Sequence, residues 1–300
     1  MKNDKLKGGL LITFGAGCYG MLGTYVKMAY LAGFNTAEVT ISQFSLGVIG
    51  LFILTLFQKR SPNALIPTIR SKVRLTIAGT SLGLTSVFYY LSVKYIPVSV
   101  AIVLLAQSVW MGVLLESIVR RKIPAAGRLL SVAVIMTGTL LATAVLEQSV
   151  SLSWKGFAFG IAGACCYTAT MYSTNHLDTH FPPLKRSLYM IAGGLIIILC
   201  VFHAFINKEF SWKIFPGWGL LVSLFGTVLP PLLFTRGMPL AGMGLGAILA
   251  SIEIPVSVIM AKILLHEQVI ASQWMGVGLI LGAVVLMNIP RRNISNSNFK

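Results

Sequence analysis

"GAGCY", residues 15–19, returns as "GACCY" at residues 163–167, with four of the five positions identical. Two more pairs follow in the same order. "KYIPVSVAIVLLAQ" (94–107) parallels "RGMPLAGMGLGAIL" (236–249), each with a basic residue three places before a proline, and "VIMTGTLL" (134–141) resembles "LILGAVVL" (279–286). The offsets are 148, 142 and about 144 residues, so one unit of nearly half the chain is written twice. What that unit contains decides the fold.

It contains apolar spans. The 300 residues are 56% hydrophobic and 11% charged, with a mean hydropathy of +0.82, where a soluble domain carries roughly 25% charged residues. Ten runs long enough to cross a bilayer can be drawn, at about 8–30, 37–57, 73–93, 97–119, 125–146, 156–175, 186–206, 217–236, 240–265 and 271–289. The sequence therefore predicts an all-α polytopic membrane protein with two repeats, 8–146 and 156–289, of five helices each. The opening "MKNDKLKGGLLITFGAG" is basic, then apolar, and reads as a retained first helix rather than a cleaved leader.

Five is odd, so the second repeat enters the membrane upside down relative to the first. The loops agree: "RRK" (120–122) after the fourth span has "HEQ" (266–268) as its counterpart after the ninth. With the N-terminus in the cytoplasm, 18 Lys and Arg fall on the cytoplasmic side, 5 on the other and Lys27 within a span, which places both termini inside. Inverted repeats are a frequent architecture of secondary transporters, whose substrate sites lie near the midplane between the halves.

The net charge of +16 is explained by these loops and gives no reason to invoke nucleic acid. Cys18, Cys165, Cys166 and Cys200 all fall in apolar runs, without metal-site spacing or the pattern of a disulfide framework. "HLDTH" (176–180) has two histidines four apart but sits in a loop ahead of "FPP", so no metal or other cofactor is expected. No nucleophile elbow, helical His-Glu-x-x-His or phosphate loop is present, and short connections leave no room for a soluble catalytic domain, so the chain does not read as an enzyme.

Small-residue pairs at Gly79/Gly83, Gly156/Gly160 and Gly278/Gly282 predict close helix crossings. Pro97 and Pro239 fall at span starts, whereas Pro230-Pro231 and Pro255 fall inside spans and should kink or break them.

The chain resembles the drug/metabolite transporter superfamily in its EamA-type, ten-helix branch. The second repeat carries the resemblance best, through "LPPLLFTRGMPLAGMGLGAILASIEIPVSVIM" (229–260), a glutamate at 267 and a glycine-rich last span. The first matches through "CYGMLGTYVKMA" (18–29) and departs in span two, where Gln43 stands in place of the family's frequent arginine. The family's adjacent Glu-Pro pair is split here by Ile254. The resemblance implies a carrier of small metabolites, amino acids or related compounds, with export favoured, in the cell inner membrane.

Glu253, midway along the ninth span, is the leading candidate. An ionisable residue at that depth usually faces the bundle interior and marks a pathway; it could couple protons, contact a substrate amine, or cap carbonyls that Pro255 leaves without a donor. Gln107 lies within a turn of the matching position in the first repeat. Tyr19, Tyr89, Trp110 and Tyr167 are mid-span aromatics with polar tips, able to stack on a substrate or simply to pack. Lys27 and Glu38 could pair as an outer gate, with Pro230, Pro231 and Pro255 as hinges. The partners expected are a small-molecule substrate and membrane lipid, with proton coupling, and monomer or homodimer, left open. A lipid flippase or a non-transporting membrane partner is the competing reading.

Overall fold

The computed structural model describes residues 2–58, 68–96, 98–142, 153–205, 210–266 and 269–288. Pro97 and Glu267 lie outside the described residues. All regular structure among those described is helical. The first half holds α1 (Lys2–Leu31), α2 (Thr36–Phe57), α3 (Ile69–Tyr95), α4 (Val98–Leu105), α5 (Ser108–Arg120) and α6 (Ala126–Ala142). The second holds α7 (Trp154–His176), α8 (Pro183–Phe202), α9 (Leu220–Ser223), α10 (Leu229–Ala241), α11 (Met243–Ala250), α12 (Glu253–Leu264) and α13 (Ala271–Asn288). The short α9 is flanked by π-helical turns at Phe215–Gly219 and Leu224–Val228, which join it to α10 as one continuous rod from Trp212 to Ala241.

Among the described residues six segments are long and apolar enough to cross a membrane: Asp4–Leu31, Thr36–Phe57, Ala101–Arg120, Pro183–Phe202, Trp212–Ala241 and Met243–Leu264. Helices α6 and α13 are apolar as well, over Ala126–Ala142 and Ala271–Val285. Helix α3 opens with Arg70, Lys72 and Arg74, and α7 buries a polar stripe of Thr168, Thr170, Ser173 and Thr174. The α3 cations stay at the surface, whereas hydroxyls pair inside the bundle: Ser92 Oγ of α3 donates to Gly156 O of α7 at 2.8 Å, and Ser81 and Thr170 share a 2.7 Å hydroxyl contact. Large apolar side chains such as Phe14, Phe52 and Ile77 stay more than half exposed, as a lipid-facing surface requires.

Glycines set the closest crossings. A Cβ on Gly79 would lie 1.9 Å from Met190 O, and one on Gly193 would lie 1.8 Å from Thr76 O. Helices α3 and α8 therefore touch backbone to backbone. Gly160 of α7 packs against the Leu104 side chain. The Gly278/Gly282 pair, expected to pack, has open space around it; Gly276 makes the contact instead, against Ala142 and Gly138 of α6. Two residues turn a helix face by about 200°, enough to put the expected pair on the outside.

Three prolines differ from expectation, all in α10. Pro239 lies inside α10, not at a span start, and the next helix begins only after Gly242, at φ +87°. Pro230-Pro231 do not break their span. They occupy the first turn of α10, where a missing N–H matters little, and the π turn just before them absorbs the mismatch.

Hydrogen bonds between distant segments define the two ends of the bundle. At one end Glu38 Oε1 accepts from Ser211 N at 2.6 Å, and Gln273 Nε2 donates to Ala142 O at 3.1 Å. At the other, Asn175 Nδ2 donates to Met238 O at 2.5 Å, and Glu116 Oε2 accepts from Gly244 N at 2.9 Å. The main apolar core, including Ile12, Met171, Phe234, Met238 and Ala247, lies toward this second end.

Candidate functional site

Helices α4–α5 and α11–α12 are each a span interrupted by one tight turn. In the first, Gln107 N donates to Leu104 O, Val109 N to Ala106 O and Met111 N to Gln107 O. In the second, Ile252 N donates to Leu249 O, Ile254 N to Ser251 O and Val256 N to Ile252 O. The six bonds correspond one to one at a constant separation of 145 residues. Most run i to i−3, so the chain passes through a single 3₁₀-like turn rather than unwinding. Pro255 stands third in α12, a position where its lost N–H is tolerated; the matching residue of the first break is Trp110, so the turn forms without a proline as well.

Between the two breaks lies a small cavity, lined by Ala106, Ser108, Ala250 and Ser251 among others. Tyr167 and Glu253 also line a larger one of about 760 Å³, open solvent at its mouth included. Tyr19, Tyr89, Tyr167 and Glu253 line this larger cavity together, with Gln43 and Phe44 of α2. Its lining includes 19–23 on α1, 82–90 on α3, and the ends of α4 (102–105) and α12 (253–257) that abut the breaks, so in the two interrupted spans it lies on the Glu38 side of the break. A third, mostly apolar fissure, lined by Lys7, Leu10, Phe14 and Leu233 among others, opens on the outer flank of α1.

Glu253 begins α12, immediately after the break. Tyr167 Oη donates to its Oε2 at 3.5 Å, a long bond. Tyr19 stands edge-on to Tyr167, with ring centroids 6.3 Å apart, and edge-on to Phe234 at 5.6 Å. Helix α1 reaches this point because of Gly20, where a Cβ would lie 2.5 Å from Glu253 O. Opposite, Tyr90 Oη donates to Gln43 Oε1 at 3.4 Å. The Gln43 amide nitrogen fits against Gly226 in the second π turn, 2.4 Å from where a Cβ would stand.

Four of the six aromatic, amide and acidic candidates thus meet in one cavity. Gln107 and Trp110 do not line it. Gln107 Nε2 donates to Val103 O at 2.9 Å, and Trp110 Nε1 donates to Gln107 Oε1 at 2.8 Å, so this pair stitches α4 to α5 across the break. Lys27 is exposed in the last third of α1. Glu38 is buried and caps its own helix: its Oε2 accepts from Asn35 N at 2.7 Å while Asn35 Oδ1 accepts from Glu38 N at 3.0 Å. Its second oxygen ties α2 to the start of the Trp212–Ala241 rod.

The opposite end is sealed by charges. Glu116 accepts from Arg128 at 2.5 Å and pairs with Arg120 at 3.0 Å. Arg186 is 1% exposed. Its guanidinium donates to Thr174 O at 2.6 Å, Leu177 O at 3.1 Å and Thr235 O at 2.7 Å, clamping the end of α7 and the side of α10. Sequence reasoning counted Arg186 among the loop cations. Its signal was its position, 148 residues after Glu38, the same offset as the "GAGCY" pair. Glu38 caps its own helix, α2, and Arg186, in the first turn of α8, caps the end of α7; they sit at opposite ends of the bundle, and each holds one end of the rod.

Comparison with known proteins bears on this site. A search of curated proteins returns no match. A solved structure, described only as a crystal structure of a protein, is similar with a TM-score of 0.77 and 12% identity over 94% of this chain and 98% of its own; at that identity the likeness is one of fold. Residues 6–144 and 154–289 each match the EamA-like transporter family. Because these two matches cover most of the sequence, the chain belongs to the EamA-like transporter family, as a multi-pass membrane protein of a family that transports small molecules.

Proposed function

We propose that the protein is a secondary transporter that moves small metabolites, amino acids or related compounds, across the cell inner membrane by alternating access, with net export. In this reading ten membrane helices form two inverted repeats, 8–146 and 156–289, with both termini cytoplasmic. Four linings support the seam between the halves as the substrate path: Tyr19 and Tyr89 from the first repeat, Tyr167 and Glu253 from the second. The observation that carries the proposal is that the intramembrane carboxylate, Glu253, opens into that cavity directly beside a helix break.

The proposed orientation puts the cavity in the outer half of the membrane and the Glu116 and Arg186 ties at the cytoplasmic end. This conformation is then outward-facing, and inward opening requires those ties to part. The paired turns at Gln107 and Ile252 are the points about which α5 and α11 swing relative to α4 and α12.

Uptake into proteoliposomes of a radiolabelled panel of amino acids, amines and nucleobases, with and without a pH gradient, tests the proposal. Transport of at least one panel member above protein-free liposomes is the expected result. If none moves while labelled lipids cross leaflets, the protein is a flippase.

A further inference from the structure

The large cavity has a one-sided set of charges. Among its lining residues Glu253 is the one carboxylate, and there is no lysine, arginine or histidine. Its other polar groups are neutral: the Gln43 amide, the hydroxyls of Thr85, Ser86 and Ser257, and tyrosine phenols. Most backbone donors beside Glu253 are already spent. At the break beside Glu253 the N–H groups of Ser251, Ile252, Ile254 and Val256 already donate to carbonyls, and residue 255 is proline. The buried cation nearest the core, Arg186, spends its guanidinium on three carbonyls at the sealed end.

A small zwitterion entering this space would find a partner for its ammonium group and none for its carboxylate. That carboxylate would lose water without gaining a counter-charge, in the same enclosure as Glu253. An ammonium group meets the opposite conditions. The carboxylate offers a charge-assisted hydrogen bond, and the surrounding phenol and phenyl faces of Tyr19, Phe44, Tyr89 and Tyr167 favour both a cation and an apolar body.

We propose that the ligand of this cavity is a monocationic amine with a compact aromatic or apolar body and no carboxylate, its ammonium group at Glu253 and its body against the tyrosine faces. The proposal deepens the transport reading and rests on it only in taking the cavity's ligand as the cargo.

Equilibrium binding to the purified full-length protein in lipid nanodiscs tests it, using two matched pairs: tryptamine against tryptophan, and phenethylamine against phenylalanine, at neutral pH. Each amine should bind at least about tenfold more tightly than its amino acid. Glu253→Gln should weaken amine binding by a similar factor with an unchanged circular dichroism spectrum. Gln43→Arg, which brings a cation into the cavity, should weaken the amines and narrow or reverse the preference; it decides the matter if Glu253→Gln does not fold. Equal or tighter binding of the amino acids to the wild type, binding of neither class, or unchanged amine affinity in folded Glu253→Gln overturns the proposal. Proteoliposome uptake separates the two readings. An amine that binds but is not carried contradicts transport and leaves the ligand class standing, whereas an amino acid carried in preference to its amine contradicts the ligand class alone.

Discussion

Gln107 and Ile252, 145 residues apart, hold the same backbone conformation: φ −58°, ψ −23° at Gln107 and φ −60°, ψ −20° at Ile252. Each sits where a membrane-length helix is interrupted, and each is flanked by the same pattern of hydrogen bonds. One break contains a proline and the other a tryptophan at the matching place. The turn is therefore a property of the repeat and its packing, not of proline. Pro255→Ala should keep the fold, shift the melting temperature by less than about 4 °C, roughly 1 kcal/mol or below, and retain uptake within about threefold. Loss of folded protein would show that the second break depends on proline.

Gln107 braces its break from both sides, donating to Val103 O and accepting from Trp110 Nε1. It lies off the large cavity. Gln107→Ala should alter the maximal rate of uptake by several-fold while leaving ligand affinity near the wild-type value. A change in affinity alone would place Gln107 in the binding site.

The charged seal makes a separate prediction. Glu116→Ala leaves Arg128 and Gly244 N–H without their acceptor. Stranding the buried Gly244 N–H beside the half-buried Arg128 costs about 1–3 kcal/mol. Expected effects are a melting temperature lowered by several degrees and greater labelling, by a membrane-impermeant thiol reagent added from the cytoplasmic side, of a cysteine introduced at Ala16 in a background lacking the native cysteines. Unchanged labelling would mean the seal does not govern inner access.

Glycine substitutions at two positions should separate sharply. Gly193→Ala forces a methyl group to within 1.8 Å of Thr76 O, where only backbone movement can relieve it. It should lower the melting temperature by more than about 5 °C or abolish monodisperse protein. Gly278→Ala meets open space and should be neutral or slightly stabilising, since alanine is the better helix former. Fluorescence-detected size exclusion with heating reads both.

Much of this was legible in the sequence because it rests on periodicity along the chain. The all-helical, apolar character and the two EamA-like halves follow from hydropathy and spacing, and Tyr19, Tyr89, Tyr167 and Glu253, which residue count puts at similar depth, line one cavity. What was hidden depends on rotation about a helix axis and on the neighbour supplied by another segment. Gly276 rather than Gly278 faces α6, Gln107 turns to its own helix, and Gln43 reaches the cavity because a π turn brings Gly226 beside it. Arg186 read as a loop cation because its acceptors, the carbonyls of Thr174, Leu177 and Thr235, belong to two other segments. The break at Gln107 had no proline to announce it.

The central claim is that the carboxylate of Glu253 in the seam between the repeats serves transport. The most direct test is the uptake of a transported panel member by wild-type and Glu253→Gln proteoliposomes, with and without an imposed pH gradient, at matched protein content and matched melting temperature. The expected result is at least about a tenfold fall in the initial rate of the variant, together with loss of any response to the gradient that the wild type shows. A variant that carries its substrate at the wild-type rate, with the wild-type response, would contradict the claim.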